Sequence, residues 1–447
     1  MNYIYLRVKY IYLIMTLINS LPSLEDIYDS IKTDDFLVNK EKNDLCDFIL
    51  KIIDQFIINN PLLVTEENYD ELLENYIEEE LSIMLENIQM NEVFEEEIEM
   101  VVEQTINIYF EFFTPPRSYP SSIILKEPDY NVISKQIDFL RSVPQPEQRT
   151  DEWYMFRHNL ITASNAYKAF ESASTQNQLI YEKCKPLIIE EKQNSKPISI
   201  DSTLHWGQKY EPLSVELYED LYNTKIEDFG CIPHQKYKFL GASPDGINVK
   251  EKNSRFGRML EIKNIVNREI TGIPKKEYWV QMQLQMEVCN LDECDFLETK
   301  FEEYENEEQY LSDKNSIKKG IILYFNGSNG VYKYIYKPLN MMYSESWQED
   351  QIEQQEKLGN IWIKNIYWKL TKYSCVLVTR NHFWFENAII QLNKTWDIIS
   401  KERLSGFEHR KSKPRNKKIE INQLINNIES GCLLSLDKDS KLVTLKQ

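Results

Sequence analysis

The chain has 447 residues, 42% of them hydrophobic, and a formal net charge of −19. That length and apolar content suit about two or three domains with buried cores and exclude a wholly disordered chain. The charge argues against nucleic acid as a partner only until it is mapped: residues 52–116 contain no Lys or Arg and 17 Asp or Glu, so the remainder is close to neutral and the field at any cleft is a local matter.

From Met1 to Ile18 the chain is apolar and aromatic, interrupted by Arg7 and Lys9. The uninterrupted stretch Tyr10 to Leu21 is too short to span a bilayer and lacks a small-residue cleavage site, so no membrane anchor is expected. Residues 1–23 read either as an extension ahead of a true start at Met15 or as a short buried element. Over 24–113 the apolar residues fall at helical spacing, as in Leu72, Leu73, Tyr76, Ile77, Leu81, Met84, Leu85 and Ile88, which predicts an all-helical acidic domain. Pro115, Pro116 and Pro120 break any helix there and mark 114–128 as a linker.

The stretch 129–338 mixes helical and strand patterns. Gly320–Phe325 and Val331–Lys337 flank Asn326-Gly-Ser-Asn-Gly330, a hairpin signal. Residues 339–408 read as a helical extension, with one long helix over Ser344–Lys372 whose tryptophans are expected in the core and another over Trp384–Leu404. The remaining 409–447 form a tail that opens with six Lys or Arg in the ten residues His409 to Lys418, suited to phosphate backbone or to nuclear import. Seven cysteines, an odd number without zinc-site spacing, read as free thiols of a reducing compartment.

The chemistry concentrates between Gly241 and Lys263. Gly-Ala-Ser-Pro-Asp-Gly246 places Asp245 in a turn between Pro244 and Gly246. Leu-Glu-Ile-Lys263 reads as a strand, on which Glu261 and Lys263 face one side and Ile262 the other. Two carboxylates and an ammonium so gathered suit a hard divalent cation and its water. Upstream stand Trp153-x3-Arg157, Ile161-Thr-Ala-Ser164 and Trp206-Gly-x2-Tyr-Glu211; downstream stands Tyr278-x2-Gln281-x-Gln283-x-Gln285. Gln281 and Gln285 share a helical face and Gln283 lies off it. Thr162 or Ser164 is expected to cap a helix beginning near Asn165.

These blocks in this order, over roughly Arg149 to Val288, resemble the YqaJ-type viral recombinase family, lambda-exonuclease-like members of the PD-(D/E)xK nucleases. The resemblance implies an α/β (α+β) restriction-endonuclease-like core with a mixed sheet flanked by helices, and a DNA exonuclease acting from 5′ ends in viral-type recombination, replication or end processing. Alternatives are a structure-specific endonuclease of the same superfamily or a non-catalytic end-binding scaffold. By resemblance Asp245 and Glu261, with the Ile262 carbonyl, would hold Mg²⁺, for which Mn²⁺ could substitute. Lys263 would act on the attacking water, Glu211 and Gln281 would support the site, and Arg157, Ser164 and Ser243 would hold the 5′-terminal phosphate. Linear duplex ends would be the substrate. A single-strand annealing or replication protein would be a partner, assembly into an oligomer stays open, and the setting would be the cytoplasm or viral factory of an infected host, or its nucleus through the basic tail. Asn264-Ile265 departs from the pair relatives often carry after the lysine.

Overall fold

The computed structural model describes residues 37, 39–86, 92–146, 150–187, 203–327, 332–341, 345–411, 434–436 and 443–445. The extension 1–23 and most of the basic tail lie outside the described residues.

Three helices open the described chain: α1 (Asn39–Asn59), α2 (Tyr69–Leu85) and α3 (Glu92–Phe112). The expected helical period is realised on α2, where Tyr69, Leu73, Ile77, Leu81 and Leu85 form the buried stripe, while Met84 falls on the exposed side. Most of the glutamates occupy the outer faces, where they stay solvated; Glu97 is buried and accepts from the Leu37 N–H at 2.8 Å. These helices do not stand apart from the rest of the chain. Their apolar faces run into one continuous core with the later elements, and Lys276 ion-pairs with Glu66 at 2.7 Å.

The proline-containing segment expected as a linker is tied down. Arg117 is buried and donates to the Thr65 carbonyl at 3.1 Å, and its own carbonyl accepts from the Trp279 indole at 2.9 Å. Its strand β1 (Tyr119–Pro120) pairs with Leu377 and Val376. Proline forbids a helix here, but a sheet edge tolerates it.

Next come α4 (Tyr130–Ser142), α5 (Asp151–His158), β2 (Ile161–Thr162), α6 (Ala163–Ala166), α7 (Ala173–Cys184) and α8 (Thr203–Tyr222). Short strands β3 (Ile226–Glu227), β4 (Ile232–Pro233), β5 (Leu240–Ala242) and β6 (Gly246–Asn248) lead to β7 (Met259–Asn264), α9 (Lys276–Cys289) and β8 (Glu293–Glu303). After α10 (Glu307–Ser312), β9 (Lys318–Asn326) and β10 (Tyr332–Tyr336) form the expected hairpin.

The long helix expected over Ser344–Lys372 is not formed. Helix α11 (Glu345–Lys357) ends in a Schellman cap: Gly359 is left-handed at φ +82°, with Asn360 N–H on the Gln355 carbonyl and Gly359 N–H on that of Glu356. Strand β11 (Ile361–Thr379) follows, rich in β-branched and aromatic residues, with Ile366, Trp368 and Leu370 buried at every second position. The helical spacing of the tryptophans concealed a period of two, and Trp362 is 39% exposed rather than in the core. Helix α12 (His382–Ser405) matches expectation, and β12 (Leu434–Leu436) pairs with β13 (Val443–Leu445).

The main sheet runs β10-β9-β11-β8-β7-β6-β3, with β1 on β11. Only β7 and β8 pair in parallel within it, so the sheet is mixed, and helices flank it. A small sheet, β2-β5-β4, sits beside it. The segment expected to be a helical extension therefore supplies a central strand of the sheet, hydrogen-bonded to β8 on one side and β9 on the other. Among the described residues the cysteines are free thiols, and no helix is long and apolar enough to cross a membrane.

Candidate active site

Asp245 lies in the turn between β5 and β6, where β6 runs against β7. Gly246 is required by close approach rather than by a special φ: a Cβ there would meet Ile226 Cγ2 at 2.1 Å. The Asp245 Oδ2 accepts from the Ile262 N–H at 2.7 Å, which fixes the turn against the strand. Alternation along β7 then does what the sequence predicts. Leu260 and Ile262 pack with Tyr218 and Leu297 on one side, while Glu261 and Lys263 project to the other, in contact through Glu261 Oε1 and the Lys263 ammonium.

Helix α9 closes the site. Glu261 is fully buried, and its Oε2 accepts from the Gln285 amide at 2.6 Å. Gln281 is more distant, its Oε1 lying 3.5 Å from the Lys263 ammonium. Both glutamines face the site, as the helical period predicts, but the closer contact belongs to Gln285, not to the Gln281 singled out from sequence. Gln283 points away and bridges the Thr379 carbonyl and the Asn381 N–H.

Burial, and after it the neighbouring Glu261 charge, hold the Asp245 carboxyl well above the usual carboxylate range. Burial alone would lower the Lys263 ammonium, but Glu261 and Asp245 outweigh it and keep it above the ordinary lysine range. The site thus holds a charged lysine and a pair of crowded carboxylates in want of more positive charge.

Glu211 comes from α8 and faces the same cleft, of about 590 Å³, as Asp245 and Gln281. Among the groups that tie α8 to the sheet is Asn264, the residue after Lys263. It projects from the opposite side of β7, accepts from the hydroxyls of Ser214 and Thr299 at 2.7 Å each, and donates to the Gly207 carbonyl at 2.9 Å. Its only sequence signal is its departure from the common pattern.

The far wall carries Arg157, from the last turn of α5, over the Trp153 ring at 4.4 Å. Its guanidinium lies 3.3 Å from the Ser243 hydroxyl and 3.4 Å from that of Ser164. The three residues expected to act together are therefore together. The expected capped helix is not there. Helix α6 has only four residues, Thr162 makes no side-chain cap, and its hydroxyl lies 3.3 Å from that of Ser164 instead. The alanines and the 3-10 turn after them at Tyr167–Phe170 leave too short an element to act as an anion-binding helix end.

Among the described residues no three His, Cys, Asp or Glu side chains converge at metal-ligating geometry. The donor set on offer is the pair Asp245 and Glu261. That pair fits magnesium, which keeps several waters and binds through one or two carboxylates plus substrate phosphate oxygens. The crowding of two carboxylates and the Gln285 Oε1, buried without a partner, leave room for further positive charge and an ordered water.

Residues 152–292 match the model of the YqaJ-like viral recombinase domain. An uncharacterized protein of Acanthamoeba polyphaga mimivirus is 28% identical, over 76% of this chain and 68% of its own length. Among solved structures, an alkaline exonuclease from Laribacter hongkongensis has 17% identity and a TM-score of 0.34, over 57% of this chain and 94% of its own. A phage-related exonuclease from Haemophilus somnus has 14% identity and a TM-score of 0.26, over 60% and 96%. At those scores the structural likeness is slight, and the fold rests on the strand order itself. Arg157, Glu211, Asp245, Glu261, Lys263 and Gln285 all lie within 152–292, the segment that matches the YqaJ-like viral recombinase domain.

Proposed function

We propose that this chain is a divalent-metal-dependent DNA nuclease that degrades linear duplex from a 5′ end, in recombination or end processing within a virus-infected cell. The observation that carries the reading is one cleft with two kinds of wall. On one side stand Asp245, Glu211 and Gln281, with the buried Glu261 and its partner Lys263 behind them; on the other stands Arg157, with two hydroxyls and no carboxylate within ion-pair distance among the described residues.

Asp245 and Glu261 would hold Mg²⁺ or Mn²⁺, with the Ile262 carbonyl beside them. A divalent cation there supplies a lowered pKa for bound water and charge compensation on phosphoryl oxygens. Lys263 orients the attacking water and places a fixed positive charge where negative charge develops. Gln285 holds the Glu261 carboxylate in one orientation, and Glu211 faces the same space from α8. Arg157 takes two oxygens of the terminal phosphate through its planar fork, with Ser164 and Ser243 as further donors. A single-strand annealing protein that receives the exposed strand would complete the reaction sequence.

The test is hydrolysis of three duplexes of one sequence: a linear one with 5′-phosphates, a linear one with 5′-hydroxyls and a covalently closed circle. Each is incubated with Mg²⁺ and with EDTA. The expected result is degradation of the linear forms in Mg²⁺ only, faster with 5′-phosphate. Cutting of the closed circle at a comparable rate would replace the exonuclease reading with an endonuclease.

A further inference from the structure

Behind Arg157 lies a second cation with no part in the hydrolytic site. Helix α7 turns Leu179, Ile180, Lys183 and Cys184 inward, which puts a lysine where the helical period calls for an apolar side chain. Lys183 is only 7% exposed, and its ammonium donates to the Arg157 carbonyl at 2.8 Å. From α12, Arg403 donates to the carbonyls of Lys183 at 2.7 Å and His158 at 2.9 Å. Among the described residues none of these three cations has a carboxylate within ion-pair distance. Glu182 is taken by Lys168, and Glu402 by Arg410 and His409. Buried charges are ordinarily paired. Here the buried Lys183 and the half-buried Arg157 and Arg403 converge at one wall of the cleft with no ion pair among them.

We propose that Lys183 is a positioning residue for substrate choice: its buried ammonium holds the Arg157 main chain and adds charge behind the guanidinium, so that the cleft favours a terminal phosphomonoester over an internal phosphodiester. This rests on the reading that Arg157 receives a 5′-terminal phosphate. The physical basis is charge number. A phosphomonoester carries close to two negative charges above its second pKa of about 6, a phosphodiester one. A fixed cation in a poorly screened site rewards the second charge.

The arrangement makes the preference pH-dependent. Burial first, then the charges of Arg157 and Arg403, lower Lys183 to about 8, while Glu182 and the Cys231 thiol act the other way. His158 also faces this cluster, its own pKa lowered first by burial. A lysine lowered in this way is charged below about pH 8 and neutral above it. The substrate's terminal phosphate is already dianionic from about pH 7 upward, so any change in preference over about pH 7–9.5 comes from the protein.

The test measures, on the full chain with Mg²⁺, the ratio of hydrolysis rates for 5′-phosphate and 5′-hydroxyl duplex over that range. In the parent the ratio should fall on the order of tenfold as pH rises through about 8, the scale of one nearby charge at protein-like dielectric. In Lys183→Met, which keeps the apolar stem, the ratio should be low throughout and flat with pH. Lys183→Arg should restore the ratio and remove its fall, since a guanidinium stays charged. A second measurement needs no variant. In EDTA at about pH 8, calorimetry in two buffers of different ionisation enthalpy should show uptake of up to about half a proton when a 5′-phosphorylated duplex binds, and none with the 5′-hydroxyl form. A Lys183→Met enzyme with the parental ratio and pH slope, or equal proton uptake for both ends, overturns the proposal. If Arg157→Ala loses the preference while Lys183→Met keeps it, the phosphate reading stands and the role of Lys183 falls. A parent that treats both ends alike at every pH overturns both.

Discussion

Asn264→Ala should loosen the helix that carries Glu211. The side chain makes three hydrogen bonds, two accepted from Ser214 and Thr299 and one donated to the Gly207 carbonyl. Each is worth about 0.5–1.5 kcal/mol net, so their sum is about 1.5–4.5 kcal/mol. Part of this is recovered, because the two hydroxyls lie 3.0 Å apart and satisfy one another once Asn264 is gone. A loss of about 2–3 kcal/mol is therefore expected, read as a lower urea midpoint with an unchanged slope. Ser214 stands three residues beyond Glu211, on the same side of α8, so the loss should also appear as a lower kcat at saturating Mg²⁺. Thr299→Val, which removes a single donor, should cost less than half as much. A variant within about 0.5 kcal/mol of the parent, the scatter of an ordinary surface substitution, would mean that Asn264 does not clamp α8 to β7.

Lys263→Ala should lower kcat while calorimetry still shows divalent cation binding, because the ammonium is assigned to the water and the developing charge and not to the metal; collapse of metal affinity would refute that role. Deleting residues 1–116 should give an insoluble or strongly destabilised protein, since it uncovers core shared with α9 and removes Thr65 and Glu66, the partners of Arg117 and Lys276; a soluble truncation with the parental melting temperature would show the acidic helices to be independent. Glu287→Gln should cost about 1.5–3 kcal/mol at pH 7, the scale of hydrogen bonds to a charged group. Burial would raise Glu287, but its bonds to His234 and Arg380 outweigh it and the net shift is downward, so its contribution is present above the ordinary glutamate range and is lost as pH falls through the lowered value; the parent and variant unfolding curves should converge once the pH is below that lowered value.

The core of the site is legible in the sequence because it depends on short-range geometry. A turn at Asp245 and a two-residue alternation at Glu261 and Lys263 are local facts, and tertiary structure only has to bring the turn beside the strand. The choice among the glutamines is not legible. The helical period puts Gln281 and Gln285 on one face, but which of them reaches Glu261 depends on how far α9 slides along β7, and that is set by contacts distant in sequence. Lys183 escapes a sequence reading although a signal exists: a lysine in register with Leu179 and Ile180 on an inward helical face. The helix expected over 344–372 fails because apolar residues in a strand buried at every second position can match helical spacing by chance. Gly359, at the helix end, is the residue that divides the segment. The proline-containing stretch reads as a linker because proline excludes helix, which is true, but a buried arginine and a sheet edge give the same residues a fixed place.

The most direct test of the central claim, that Asp245 and Glu261 form the hydrolytic centre, is Asp245→Ala assayed on 5′-phosphorylated linear duplex with Mg²⁺, with DNA binding measured in parallel. The account predicts a loss of several orders of magnitude in hydrolysis, as expected when a metal-binding carboxylate is removed from phosphoryl chemistry, with binding equal to or tighter than the parent because a charge that repels phosphate is gone. Hydrolysis within about tenfold of the parent by a folded Asp245→Ala protein would contradict it.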